Sequence, residues 1–142
     1  LAASLRGQWS ERQLLNYDKF SLGNLTIGRG YDPGANTGDR AIAGANEVRF
    51  NFDLSQDVAA QAYGFLDWVH LWNLDPASTE RSRLLSSVGG GVRFMLDQSM
   101  RLDLTYAHPL DPPLLTGANI HRAPDRFMFS LTMQLVPFGF GR

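Results

Sequence analysis

The chain has 142 residues, a formal net charge of -1 and no cysteine. That length suits one domain, the near-neutral charge lacks the electrostatic footprint of a nucleic-acid binder, and without cysteine there is neither a disulfide framework nor a thiolate metal site. No apolar run approaches the ~20 residues of a membrane helix, but a membrane strand needs only ~9–11, every second one facing lipid, so hydropathy alone does not argue against a membrane.

The opening segment, LAASLRGQWS, lacks the basic head and apolar stretch of a signal peptide. It alternates instead. Leu1, Ala3, Leu5, Gly7 and Trp9 share one face, and Ser4, Arg6, Gln8 and Ser10 the other. A chain that opens in mid-strand reads as the C-terminal part of a longer parent. Residues 11–40 follow as one long connection, with the glycine-rich run FSLGNLTIGRGYDPGANTGD at its heart. A connection of this length is functional or disordered as a rule. Arg29 between Gly28 and Gly30, followed by Tyr31, reads as a finger folded into a defined shape.

Five more alternating segments follow, at about 41–54, 58–72, 84–97, 100–108 and 126–137. The clearest sets Val48, Phe50, Phe52 and Leu54 against Glu47, Arg49, Asn51 and Asp53, a strict period of two. Next, Leu66, Trp68 and Trp72 oppose Gln61, Tyr63, Phe65 and Asp67, and Val88, Val92, Phe94 and Leu96 oppose Gly91, Arg93, Met95 and Asp97. Then Leu102, Leu104 and Tyr106 oppose Arg101, Asp103 and Thr105, and Phe127, Phe129, Leu131, Met133 and Leu135 oppose Met128, Ser130, Thr132 and Gln134. The connections run long, short, long, short, long, the last reaching from Leu110 to Asp125. That is the sorting of an outer-membrane barrel, with tight periplasmic turns and longer loops outside.

The charges sort the same way. Glu47, Arg49, Asp53, Arg93, Asp97, Arg101 and Asp103 all stand opposite the apolar faces. An Arg or Lys at a lipid-facing mid-strand position costs ~2–4 kcal/mol, whereas a wet lumen accepts it. Trp68, Trp72, Tyr106, Phe127 and Phe138 lie toward strand ends, where an interfacial girdle needs them. The expected fold is therefore all-β, an antiparallel transmembrane β-barrel, of which residues 1–142 supply six or so strands. The competing reading is a soluble β-sandwich binding module with one solvated face. The two differ in whether Phe50, Phe52, Leu102, Leu104, Phe129 and Leu131 converge on a closed core or all face outward.

Enzyme chemistry finds little purchase. Gly28–Gly34 spaces its glycines as G-x-G-x-x-x-G with no βαβ unit after it, unlike a nucleotide loop. His70, His108 and His121 show no metal-ligand spacing, and Gly-x-Ser-x-Gly is absent. No catalytic residue, metal or cofactor is expected, and the scattered acids read as lumen lining. Gly89-Gly90-Gly91 inside a strand marks either a bulge or a close approach by another backbone, such as a folded-in loop.

In chain order, Phe20-Ser21-Leu22-Gly23-Asn24, Ile27-Gly28-Arg29-Gly30-Tyr31, Gly38-Asp39-Arg40, Glu47-Val48-Arg49 and Gly64-Phe65-Leu66-Asp67 resemble motifs of the Omp85 superfamily. The branch they resemble is the two-partner-secretion transporters, the haemolysin secretion/activation proteins. Those motifs take the form F-x-L-G-G, then V-R-G-Y or V-R-G-F, then G-D-R-G and a strand with E-L-R. A later strand carries an Asp after aromatics. This chain departs at Gly28, where Val is usual, and at Asn24, where a second Gly is frequent.

The resemblance implies a barrel of about sixteen strands, preceded by periplasmic POTRA domains that recognise a secreted exoprotein. It implies that residues 11–40 fold back into the lumen, with Gly28, Arg29, Gly30 and Tyr31 as the loop motif. Arg29 then pairs with Asp67 on the lumen wall, Tyr31 and Phe65 flank the pair, and Glu47 is a second candidate partner. Outer-membrane lipid surrounds such a barrel, and the barrel assembly machinery reads its aromatic last strand, Phe127–Phe138, by strand addition. No nucleic acid is implied. Within the superfamily the rival role is insertion of other barrels, and POTRA number separates the two: a pair favours secretion, a longer series favours assembly.

Overall fold

The computed structural model describes residues 1–23, 27–34, 36–76, 81–96, 99–111 and 123–134. Asn24, Asp97, Gln98, His121, Leu135, Phe138 and residues 139–142 lie outside the described residues. All the described regular structure is strand: β1 (Ala2–Gln8), β2 (Phe20–Ser21), β3 (Thr37–Gly38), β4 (Arg40–Asp53), β5 (Val58–Trp72), β6 (Ser82–Leu96), β7 (Met100–Pro109) and β8 (Arg126–Met133). Six of them form one antiparallel sheet in the order β1-β4-β5-β6-β7-β8, and β2 pairs with β3 apart from it. The sheet is open. Among the described residues its edges, β1 and β8, do not pair with each other.

Because side chains alternate along a strand, the register sorts every residue onto one of two faces. One row across the sheet reads Ser4, Ala45, Asp67, Ser87 and Pro109. Two residues further along β4, the same face carries Ala2, Glu47, Phe65, Gly89, Ala107 and Arg126. The opposite face carries Val48, Phe50, Phe52, Leu66, Val88, Leu104, Phe129 and Leu131, all exposed, Phe129 to 79%. Leu102 lies on that same outer face. These apolar side chains do not converge on a closed core, so the sandwich arrangement is not the one formed. An apolar surface this broad on a soluble chain would be an association hazard; against hydrocarbon it is matched.

The core lies on the inner face, between the wall and the connection that follows β1. Leu22, Ile27 and Tyr31 from that connection pack on Ala41, Ala43 and Ala45 of β4, Val69 and Leu71 of β5 and Leu85 of β6. Alanines at alternate positions of β4 are what let a second layer of chain lie against the wall. The short connections sit at the other end of the sheet. One closes through Leu54 N–H and Ser55 N–H on Val58 O (3.0 and 3.1 Å), the other through Ser99 N–H on Leu96 O (3.2 Å).

The glycine tract of β6 corrects one expectation. β5 and β6 pair one-to-one from Val58↔Leu96 to Trp72↔Ser82, so Gly89–Gly91 form no bulge. Nor do they receive the loop backbone. The backbone that does approach them closely belongs to the neighbouring strands: the Tyr106 and Leu104 carbonyls of β7 for Gly89 and Gly91, and the Tyr63 carbonyl of β5 for Gly90. On the inner face a Cβ on Gly89 would also lie 2.5 Å from Phe65 Cζ, and one on Gly91 2.6 Å from the Tyr63 hydroxyl. The rings of Phe65 and Tyr63 lie across the glycines that pair with them.

Candidate functional site

The connection between β1 and β4 reaches its wall at Arg29. Gly23 and Gly28 turn the chain with φ of 94° and 69°, in the left-handed region where a side chain is strained. Gly28 O accepts from Tyr31 N–H at 3.0 Å and closes the tight tip. Gly30 permits the closest approach: a Cβ there would sit 2.6 Å from Ser87 Cβ and 3.1 Å from Pro109 N. Its own N–H donates to Ser87 Oγ at 3.3 Å.

Arg29 meets Asp67 from three donors. Its Nε donates to Oδ2 at 2.9 Å, its Nη2 to Oδ1 at 2.7 Å, and its backbone N–H to Oδ2 at 3.1 Å. The guanidinium is 4% exposed and the carboxylate 0%. The Phe65 ring lies beneath, with Arg29 Cζ 3.5 Å from its centroid. The planar fork thus spends its in-plane donors on the carboxylate and its π-face on the ring, an arrangement an ammonium cannot reproduce.

The Tyr31 hydroxyl is engaged at β6 and at the residues after β7. It donates to Ser86 O (2.8 Å), with Asp111 O a second acceptor within reach at 3.1 Å, and accepts from Asp111 N–H (3.2 Å). Burial pushes the phenol pKa up, against the opposing pull of the Asp111 backbone. Asp111 in turn accepts from the N–H and Oγ of Ser86 at 2.7 and 2.5 Å. Glu47 also has other partners than Arg29. Its carboxylate lies 2.7 Å from Arg93 Nη1 and 3.1 Å from Arg49 Nη2.

Arg93 is the hub of a second polar cluster, lower on the same wall. Its Nε donates to Asp103 Oδ2 (2.8 Å), its Nη1 to Gln61 Oε1 (2.9 Å), and its guanidinium stacks 3.8 Å from the Tyr63 centroid. Tyr63 OH donates to Asp103 Oδ1 at 2.7 Å. Arg29, Glu47, Tyr63, Arg93 and Asp103 all border one inner cavity of about 490 Å³. The sequence marked Arg93 and Asp103 only as wet-face charges and Glu47 as a candidate partner of Arg29, because which strand positions meet depends on a register that the turns decide.

Two further anchors had no sequence signal as anchors. Asp39, fully buried, accepts from Leu14 N–H (2.8 Å) and Leu74 N–H (2.7 Å), with Lys19 Nζ 3.7 Å away. Burial alone would raise its pKa, but the two amide donors and Lys19 outweigh it and hold the carboxyl below its ordinary value. Arg126, at the start of β8, donates from Nη1 to the carbonyls of Gly23 (3.4 Å), Arg29 (3.3 Å) and Tyr31. Among the described residues no group of His, Asp and Glu is arranged to hold a metal ion.

No curated protein and no solved structure matches the chain. The family described as haemolysin secretion/activation protein ShlB/FhaC/HecB matches over residues 1–94, a span that holds the whole inner connection, Asp67 and the glycine tract. A match over that much of its length, on a six-stranded antiparallel sheet with an apolar outer face, shows that this chain belongs to the ShlB/FhaC/HecB family of haemolysin secretion/activation proteins.

Proposed function

We propose that residues 1–142 form the C-terminal wall and lumen loop of an outer-membrane pore that translocates an unfolded exoprotein in two-partner secretion. The parent barrel has about sixteen strands. Its POTRA domains capture the exoprotein, and its outer face meets lipid. In this reading residues 11–40 are the lumen loop, and Arg29 on Asp67 fixes the loop tip against the wall. The cargo then passes beside a seated loop, and the position of that loop determines whether the pore conducts.

The observation that carries the reading is the burial of Arg29 on Asp67 from the inner side of a sheet whose other side is apolar. A loop that served only to join β1 to β4 would have no reason to bury an ion pair, since two desolvated charges cost several kcal/mol unless their geometry is excellent. Family membership supports secretion over the insertion of other barrels. The role asks for no catalytic group, because polypeptide movement through a pore breaks no covalent bond.

The test is Arg29→Ala in the full-length parent. Secreted exoprotein is expected to fall to a small fraction of wild type, while the barrel is still recovered from the outer membrane and still shifts on a gel when boiled. Secretion at the normal level would remove Arg29 from the mechanism.

A further inference from the structure

The loop tip is held from two sides. On one stands Asp67 of β5; on the other stands Arg126 of β8. The Arg126 Nη1 gathers carbonyls of Gly23, Arg29 and Tyr31, and its Nε lies 3.5 Å from Asp32 Oδ1. The three carbonyls belong to the turn at Gly23 and to the Arg29-Gly30-Tyr31 tip. These are the stretches where positive-φ glycines and the close packing of Gly30 make the backbone path special. β8 is an edge of the sheet, separated from β5 by β6 and β7.

We propose that Arg126 is a positioning residue for the lumen loop: it sets the backbone path of the tip, so that the Arg29 side chain arrives on Asp67 in register. A carbonyl cluster drawn toward one point is self-repelling, and a cation at that point relieves it. Guanidinium suits the task, since Nη1 meets the carbonyls while Nε of the same rigid planar head stands by Asp32. A hydrophobic residue at this position would leave the carbonyls without that donor. A Lys keeps a charge, but its one nitrogen cannot stand at the carbonyls and beside Asp32 at once as Nη1 and Nε do. The consequence is that the loop tip is tied to β8 as well as to the middle of the wall, so movement of the β8 edge changes the loop's seating.

This inference rests on the transport reading above, and its experiment separates the two. In the full-length parent, Arg126→Ala, Arg126→Lys and Asp67→Ala are compared for secretion, for the heat shift of the barrel, and for loop position. Loop position is read by attaching a membrane-impermeant maleimide to Pro33→Cys, an exposed residue beside the tip.

The expected result is a barrel that still heat-shifts in Arg126→Ala, with faster labelling at position 33 and reduced secretion. The ratio of seated to displaced loop falls about tenfold or more, the scale of one lost charge-assisted hydrogen bond. Arg126→Lys recovers part of both readouts. If Arg126→Ala loses the heat shift, Arg126→Met, which keeps the aliphatic stem, supplies the same two readouts. Unchanged labelling and secretion in a folded Arg126 variant, alongside a defective Asp67→Ala, overturns the role of Arg126 and leaves the transport reading standing. Normal secretion by Asp67→Ala overturns the transport reading, while labelling still decides whether Arg126 positions the loop.

Discussion

Removing one member of the Arg29–Asp67 pair should cost more than removing both. Three hydrogen bonds of 2.7 to 3.1 Å and a ring at 3.5 Å hold a guanidinium that is 4% exposed to a carboxylate that is 0% exposed. Each is the other's ion-pair partner among the described residues, and Glu47, the nearby acid that could take over Arg29, is engaged by Arg93 and Arg49. Breaking a buried pair from one side costs about 3–5 kcal/mol, whereas replacing both charges by apolar groups of similar volume is close to neutral. Arg29→Met and Asp67→Leu should therefore each destabilise by about that amount, and the double variant should recover most of it. The coupling would then be at least as large as one single-variant cost, about 3–5 kcal/mol. The assay is a guanidinium titration of the full-length barrel, following the fraction that keeps its compact, unboiled gel mobility. Secretion, measured alongside, should stay low in all three, because a greasy contact holds the tip without the bidentate register. Additive effects, with the double variant costing the sum of the singles, would refute the reasoning: the two charges would then act independently.

Gly30→Ala should unseat the tip, since its Cβ would stand 2.6 Å from Ser87 Cβ with wall backbone beside it; overpacking of this kind costs about 1–3 kcal/mol, and faster maleimide labelling near the tip would report it. Tyr31→Phe removes one hydroxyl that bridges Ser86 and Asp111. It should lower stability by about 1 kcal/mol in the same titration while leaving the heat shift in place. Asp39 has a depressed folded pKa. Its stabilisation is therefore complete above the ordinary carboxylate range and is lost as pH falls through the depressed value. Asp39→Asn should be less stable at neutral pH and should flatten that acid limb, as read by the heat-shift temperature against pH; an unchanged limb would assign the acid sensitivity to other groups.

The strands were legible because a sheet with one oily and one wet face writes a period of two. Val48-Arg49-Phe50-Asn51-Phe52 and Arg101-Leu102-Asp103-Leu104 carry it with little interruption. Their ends were less so: β6 starts at Ser82, two residues before the apolar pattern does, and β8 ends at Met133, short of the pattern's reach to residue 137. The inner cluster was half legible. Period alone puts Glu47, Arg93 and Asp103 on one face, but it cannot say that Arg93 rather than Arg29 stands beside Glu47. That depends on how far neighbouring strands are staggered. Asp39 and Arg126 were opaque for a related reason. Their partners are backbone groups, Leu14 and Leu74 for one and three loop carbonyls for the other, and every residue type offers those. The glycine tract was visible as an oddity, but its purpose needed the facing strand.

That tract bears on the bore of a pore built from this wall. Phe65 and Tyr63 would each project into the passage if the strand beside them carried ordinary side chains. Recessed over Gly89 and Gly91, they run along the wall and present flat faces to Arg29 and Arg93. Two cations thus gain an aromatic floor while the channel loses little of its diameter. Refilling those glycines would press a new Cβ against the Tyr106 and Leu104 carbonyls of β7 as well as against the two rings, so a less stable wall and a narrower opening would be recorded together, by the heat shift and by single-channel conductance.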